Sequence, residues 1–148
     1  MLAKYYRFYI VNNSAQTLTY DNAARLEIRT TPYKFTSAGA LVYGTVDVDT
    51  TALLNTGETI VDGAAVEGAV IDNTSNLYLG LHGYLECKHD VDTAAGARID
   101  LYVESCDDNI SWPSDQDDFD AEIDGTHVAS LDINTSAVDK TRGCNFAL

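Results

Sequence analysis

The chain has 148 residues, 45% of them hydrophobic, and a formal net charge of -14. That length suits one domain with a real core, and that hydrophobic share excludes wholesale disorder. From Met1 to Tyr43 five Lys/Arg stand against two acids, and the remainder has four against 21, so most of the surface would repel nucleic-acid phosphates and no nucleic-acid partner is expected.

Lys4 and Arg7 interrupt the N-terminal stretch and no small-residue cleavage site follows, so a signal peptide is not expected. No apolar run approaches the roughly 18 to 20 residues that span a bilayer, and no membrane insertion is expected. Tyr5 to Val11 is aromatic and β-prone, with Tyr6, Phe8 and Ile10 alternating against Tyr5, Arg7 and Tyr9. One sheet cannot bury both sets on one face. Tyr6 and Phe8 are therefore expected to seal a core, while Tyr5, Arg7 and Tyr9 face a neighbouring subunit.

Arg25 to Arg29 reads as a short strand stopped before Pro32. Tyr33 to Phe35 and Leu41 to Val48 read as strands around Ser37-Ala38-Gly39. Asp49 to Gly57 is a polar connection with a candidate helical turn at Ala52-Leu53-Leu54. Thr59 to Val70 is rich in small residues, and Asp72 to Ser75 is a turn cluster.

Asn76 to Cys106 has the strongest pattern. Leu77, Leu79, Leu81, Gly83, Leu85 and Cys87 alternate with Tyr78, His82, Tyr84, Glu86 and Lys88. Ala97, Ile99, Leu101, Val103 and Ser105 then alternate with Arg98, Asp100, Tyr102, Glu104 and Cys106. Period two means a half-buried strand. With turn formers from Asp90 to Gly96 between them, the two strands fit an antiparallel hairpin that needs a second sheet over its leucine face. Asp107 to Gly125 is a long polar loop, His127 to Ile133 another strand, and Cys144 to Leu148 a terminal one. Many short strands without a helical period predict an all-β fold, a single antiparallel β-sandwich over residues 1–148, with a jelly roll as its specific form.

The loop from Asp107 to Asp124 carries eight carboxylates and no Lys or Arg. Asp118, Asp120, Glu122 and Asp124 could chelate Ca²⁺, or the loop could be a solvated acidic segment. Leu131 stands where a helix-loop-helix calcium site would need its closing glutamate. His82, His89 and His127, with Cys87-x-His89, allow a zinc reading, but a second spaced pair is lacking. Cys87 reads as a core residue and Cys106 as outward-facing, so no bridge joins them and three free thiols are expected. There is no G-x-S-x-G elbow and no phosphate-cradling glycine-lysine loop, so no enzyme is expected and no cofactor beyond the candidate Ca²⁺. Tyr78, Tyr84, Tyr102 and Trp112 are candidates for a protein interface or a sugar platform, unless another segment covers them.

Asn73 to Gly80, Ile99 to Ser105, Trp112-Pro113-Ser114 and Asn145 to Leu148, with Lys34-Phe35 and Val42-Tyr43-Gly44, resemble small β-sandwich proteins among the structural proteins of tailed bacteriophages. The resemblance runs from about Phe8 to the C-terminus and is one of texture, without a diagnostic motif. It implies a virion component made in the host cytoplasm, most simply a capsid decoration (cement) subunit. Its partners would be capsid or tail subunits and copies of itself. A tail- or fibre-associated carbohydrate-binding module is the alternative.

Overall fold

The computed structural model describes residues 2–20, 25–49, 59–88, 93–114, 119–120, 124–134 and 141–148. In chain order its strands are β1 (Tyr5–Asn13), β2 (Leu18–Thr19), β3 (Arg25–Phe35), β4 (Leu41–Tyr43), β5 (Asp47–Asp49) and β6 (Thr59–Ile60). They continue as β7 (Ala65–Glu67), β8 (Ile71–Asp72), β9 (Gly80–Lys88), β10 (Arg98–Cys106), β11 (Thr126–Asp132) and β12 (Thr141–Ala147). One sheet has the order β11-β10-β1-β7, with β8 also on β1; the other has the order β12-β9-β3-β4, with β5 also on β3. Every pairing is antiparallel. The fold is all-β and sandwich-like, as the alternation of the sequence requires.

The leucine-rich strands exist, but they do not form a hairpin with each other. β9 pairs with β3 and β12, whereas β10 pairs with β1 and β11. The connection between them therefore crosses from one sheet to the other. Leu81, Leu85 and Cys87 face Ile99 and Leu101 across the core instead of beside them. Each strand supplies the apolar cover that the other needs. Leu77 is not part of the strand. Buried Asn73 accepts from the Tyr78 amide at 2.8 Å and donates to the carbonyls of Ala3 and Tyr78, and the turn it closes throws Leu77 outward, 65% exposed.

The core lies between the sheets. Tyr6, Phe8 and Ile10 of β1 meet Leu26, Ile28, Leu85 and Phe146 there. Phe8 sits edge-on to Tyr6 and to Phe146, with ring centroids 6.0 and 5.8 Å away. Phe146 lies across Gly83, where any Cβ would enter its ring. Gly83 is thus the hole on the apolar face of β9 that lets the last strand seat its aromatic residue.

Pro32 does not end β3, which runs through it. Its carbonyl accepts from the Gly44 amide at 2.8 Å, so in an antiparallel strand its nitrogen points to the same side. There β4 has ended and β5 has not begun, and the missing N–H costs no ladder bond. Leu41 to Val48 is accordingly split in two at this point. The candidate helical turn at 52–54 lies outside the described residues.

One end of the sandwich is plugged. The small β2–β6 ladder brings Leu18, Tyr20 and Ile60 into the core. Inward-facing Asn12 at this end donates to the carbonyls of Gln16 and Ile60 at 2.8 and 2.9 Å, which meets the requirement that a buried amide be hydrogen-bonded. The opposite end, at Leu2, Tyr6, Val103 and Leu148, retains a cleft of about 310 Å³.

Phe8→Ala should lower unfolding free energy by about 3 to 5 kcal/mol, the cost of emptying a buried phenylalanine site. Gly83→Val should also destabilise, by about 1 to 3 kcal/mol, through overpacking against Phe146. Urea denaturation of the two variants checks both.

Candidate interaction surface

β1 should present Tyr5, Arg7 and Tyr9 to a neighbour, but only Tyr5 keeps accessible surface. Arg7 is 5% exposed and Tyr9 0%. The chain itself covers them. The Arg7 guanidinium donates through Nε to Glu104 at 2.8 Å and through Nη1 to Glu67 at 2.7 Å, and its Nη2 donates to the Ser114 carbonyl. It lies over the Trp112 ring, 4.2 Å from the centroid, and 5.2 Å from that of Tyr9. Glu104 in turn accepts from the Ser114 amide and hydroxyl at 3.0 and 2.7 Å. Tyr9 stacks on Phe119 at 4.0 Å and donates to Glu67 at 3.1 Å. Burial raises the Tyr9 phenol well above its ordinary value, outweighing the opposing influence of nearby Ser114 and of the Arg7 charge.

Two of the expected interface residues thus become the floor beneath Trp112, Ser114 and Phe119. Trp112 gives its ring face to Arg7, and Tyr102 is edge-on to Phe119 and His127 at 5.8 and 5.2 Å. The segment starts with a turn built on Asp108, which accepts from Ile110 and Ser111 amides at 2.9 and 2.8 Å and from the Cys106 thiol at 3.0 Å. These bonds, that from Cys106 first, hold the Asp108 carboxyl well below the usual carboxylate range. They also explain why Cys106 is buried, against the alternation that would point it to solvent.

Beyond the covered patch the same sheet face carries Asp100, 2% exposed. Burial would raise its carboxyl, but Ser130, Arg98 and Asn13 outweigh that and hold it low. Arg98 Nε and Asn13 Nδ2 each donate at 2.7 Å, and Ser130 donates through its hydroxyl. His127 Nε2 is 3.0 Å from Ser130 Oγ. Ser130 thus bridges the Asp100 carboxylate and the His127 ring.

Asp118 and Glu122 of the calcium reading, and His89 of the zinc reading, lie outside the described residues. The Asp120 amide donates to the Asp124 carboxylate at 2.8 Å, and the Asp124 amide donates to the Asp120 carbonyl at 2.7 Å. Cys87 is 0% exposed beside the Tyr20 hydroxyl, and burial pushes its thiol up to about 12. A neutral core thiol is a poor metal ligand. Among the described residues no three His, Cys, Asp or Glu side chains gather around a common point.

A contiguous group of exposed apolar residues lies elsewhere. Beyond Tyr33, β3 outruns β9 and continues with β4 as a two-stranded arm, pairing Tyr33 with Tyr43, Lys34 with Val42 and Phe35 with Leu41. Thr36 and Ala40 close its turn, with Gly39 in the left-handed region at φ +80°. Phe35 is 54% exposed, Leu41 46%, Val42 39% and Tyr43 54%. Apolar residues stand on both faces of the arm, so no orientation against its own sheet hides them all. At the root, Tyr78 lies against Pro32 and Gly44, and Lys34 sits over its ring at 5.2 Å while bonding the Asn76 carbonyl at 2.8 Å. Tyr78 is therefore a brace for the arm. Tyr33 stacks on exposed His82 at 5.3 Å, and Tyr43 is 6.3 Å from the same ring. Tyr84 is half-buried across Gly143.

The sequence shows the two strands of the arm and the turn at Ser37-Ala38-Gly39 between them, but not the ribbon's exposure, because its strands look like ordinary core strands. The signal was there: apolar residues at consecutive positions, Leu41-Val42-Tyr43, instead of alternating ones. No family model, curated protein or solved structure matches the chain.

Arg7→Ala should cost about 3 to 5 kcal/mol, because it strands buried Glu104. A double-mutant cycle with Glu104→Ala should give a coupling of about 0.5 to 3 kcal/mol. The depressed Asp100 carboxyl stabilises the fold above the unfolded value of about 3.9 and loses that contribution as pH falls through its lower folded value. Urea midpoints should therefore drop below about pH 4, and Asp100→Asn should flatten that drop.

Proposed function

We propose that the chain is a non-enzymatic structural subunit of a tailed-phage particle, in the role of a capsid decoration subunit working through protein–protein contacts. The observation that carries this reading is the β3–β4 arm. A braced ribbon with Phe35, Leu41, Val42 and Tyr43 exposed at its end has the character of an interaction element, because contiguous apolar surface is costly to leave in water and marks contact sites. The resemblance to small phage β-sandwich proteins supplies the setting. A net charge of -14 keeps such a subunit soluble in the host cytoplasm before it joins the particle.

A second reading, a tail-borne carbohydrate-binding module, is favoured by the exposed rings of Tyr43 and His82 beside Tyr33. Aromatic faces of this kind stack on sugar rings.

Purified protein should co-sediment with phage capsids that lack it, and Phe35→Ser with Leu41→Ser should abolish that binding. Glycan-array binding that disappears in Tyr43→Ala, without capsid binding, would establish the second reading instead.

A further inference from the structure

We propose that the arm's occupant is a second copy of this chain: each β3–β4 arm seats its tip in the open end cleft of the other copy, in a reciprocal two-fold dimer. The inference rests on reading the arm as a contact element but not on the virion setting.

The arm and the cleft stand at the same end of the sandwich. Leu2 of the cleft donates to the Leu79 carbonyl at 3.1 Å, and Leu79 donates to the Tyr33 carbonyl at the arm's root at 2.9 Å. Leu148, also of the cleft, exchanges two 3.0 Å bonds with Leu81. Two copies meeting at this end therefore bring each arm to the other's cleft by one two-fold rotation. An isologous contact requires this arrangement, in which residue i meets j and j meets i. From Tyr33 to the turn the ribbon reaches roughly 15 Å, at about 3.3 Å per residue.

The two surfaces match chemically. The cleft is lined by Leu2, Ala3, Tyr6, Val103, Ser105 and Leu148 and encloses about 310 Å³, about ten waters' worth of space. Phe35 and Leu41, opposite each other at the arm tip, are apolar side chains of the kind that fill such a space. Charge selects the same partner. From Ile28 to Val46 the chain carries Arg29 and Lys34 and no acid, so with a total of -14 the rest sums to -16. At the cleft end, Asp72 pairs opposite Tyr5, and Asp107 and Asp108 follow Cys106, against Lys4. An acid-free arm bearing Lys34 approaches that end with less repulsion than an acidic segment would meet there.

The test uses the full chain in sedimentation equilibrium. Wild type should be a dimer. Phe35→Ser with Leu41→Ser, exposed positions whose replacement should leave the β-sheet circular dichroism spectrum unchanged, should weaken dimerisation at least about tenfold. Ser105→Trp, which fills the cleft mouth, should do the same. Mixing the two variants leaves one intact arm-and-cleft contact per pair and should restore part of the dimer, which a loss of folding or a non-specific apolar contact would not do. A wild type that is monomeric throughout its soluble range overturns the proposal. So does a dimer indifferent to either variant, or a mixture with no recovery. A monomer that still needs its arm to bind capsids would assign the arm to another particle protein, leaving the structural role standing and the dimer refuted.

Discussion

A charged guanidinium in the middle of β1 sets the terms for one whole face of this protein. Arg7 stands on the outer side of the first sheet, between Glu104 on β10 and the strand that carries Glu67. A buried cation must be paired and hydrogen-bonded or its desolvation would unfold the chain. The two glutamates supply the charge, but a planar fork of donors has more to satisfy than two carboxylates reach. The Ser114 carbonyl takes one remaining donor and the Trp112 ring takes the cationic face. Both come from the segment after β10, so satisfying Arg7 and docking that segment are the same event.

The docking converts an ordinary two-layer fold into one with a third, irregular layer on one side. It explains how the aromatic N-terminus can be buried on both faces, with Tyr6 and Phe8 under the second sheet and Tyr9 under Phe119. It also concentrates the exposed apolar surface elsewhere. With part of the first sheet covered outside and the far end plugged by Leu18 and Ile60, the arm carries four exposed apolar residues close together, whereas Val61, Val70 and Ile110 are exposed singly.

Sequence periodicity identified the strands and their inward faces well, from Tyr6, Phe8 and Ile10 to Leu85, Ile99 and Leu101. It could not say which strand lies beside which. Period two reports that Leu85 and Leu101 are each on an apolar face; it is equally satisfied when those faces adjoin in one sheet and when they oppose each other across the core. The Asp90-to-Gly96 connection is compatible with either, and the opposed arrangement buries both faces without calling on further strands. Arg7 and Tyr9 were misread for a related reason. Alternation separates inner from outer positions, but whether an outer position is wet depends on a segment about 100 residues away in sequence, and no local pattern encodes that. Cys106 shows the same limit on a smaller scale, buried by a turn centred two residues later on Asp108.

The charge of the chain bears on how any contact can be made. At first sight the basic N-terminal third and the acidic remainder suggest association by complementary charge through Lys4 and Arg7. The structure removes Arg7 from that role, since its charge is consumed inside the fold by Glu104 and Glu67. What is left outside is a surface that is acidic almost everywhere. Between such surfaces Coulomb repulsion opposes approach at low salt and is screened beyond about 8 Å at physiological ionic strength. Contact must then be driven by apolar burial, at a place where few carboxylates are brought together. Phe35, Leu41, Val42 and Tyr43 meet both conditions: they are exposed, and the segment bearing them holds no Asp or Glu. The acidity and the arm thus bear on the same question from two sides: like net charge opposes the approach of two such chains, and the arm offers apolar surface in a segment without carboxylates.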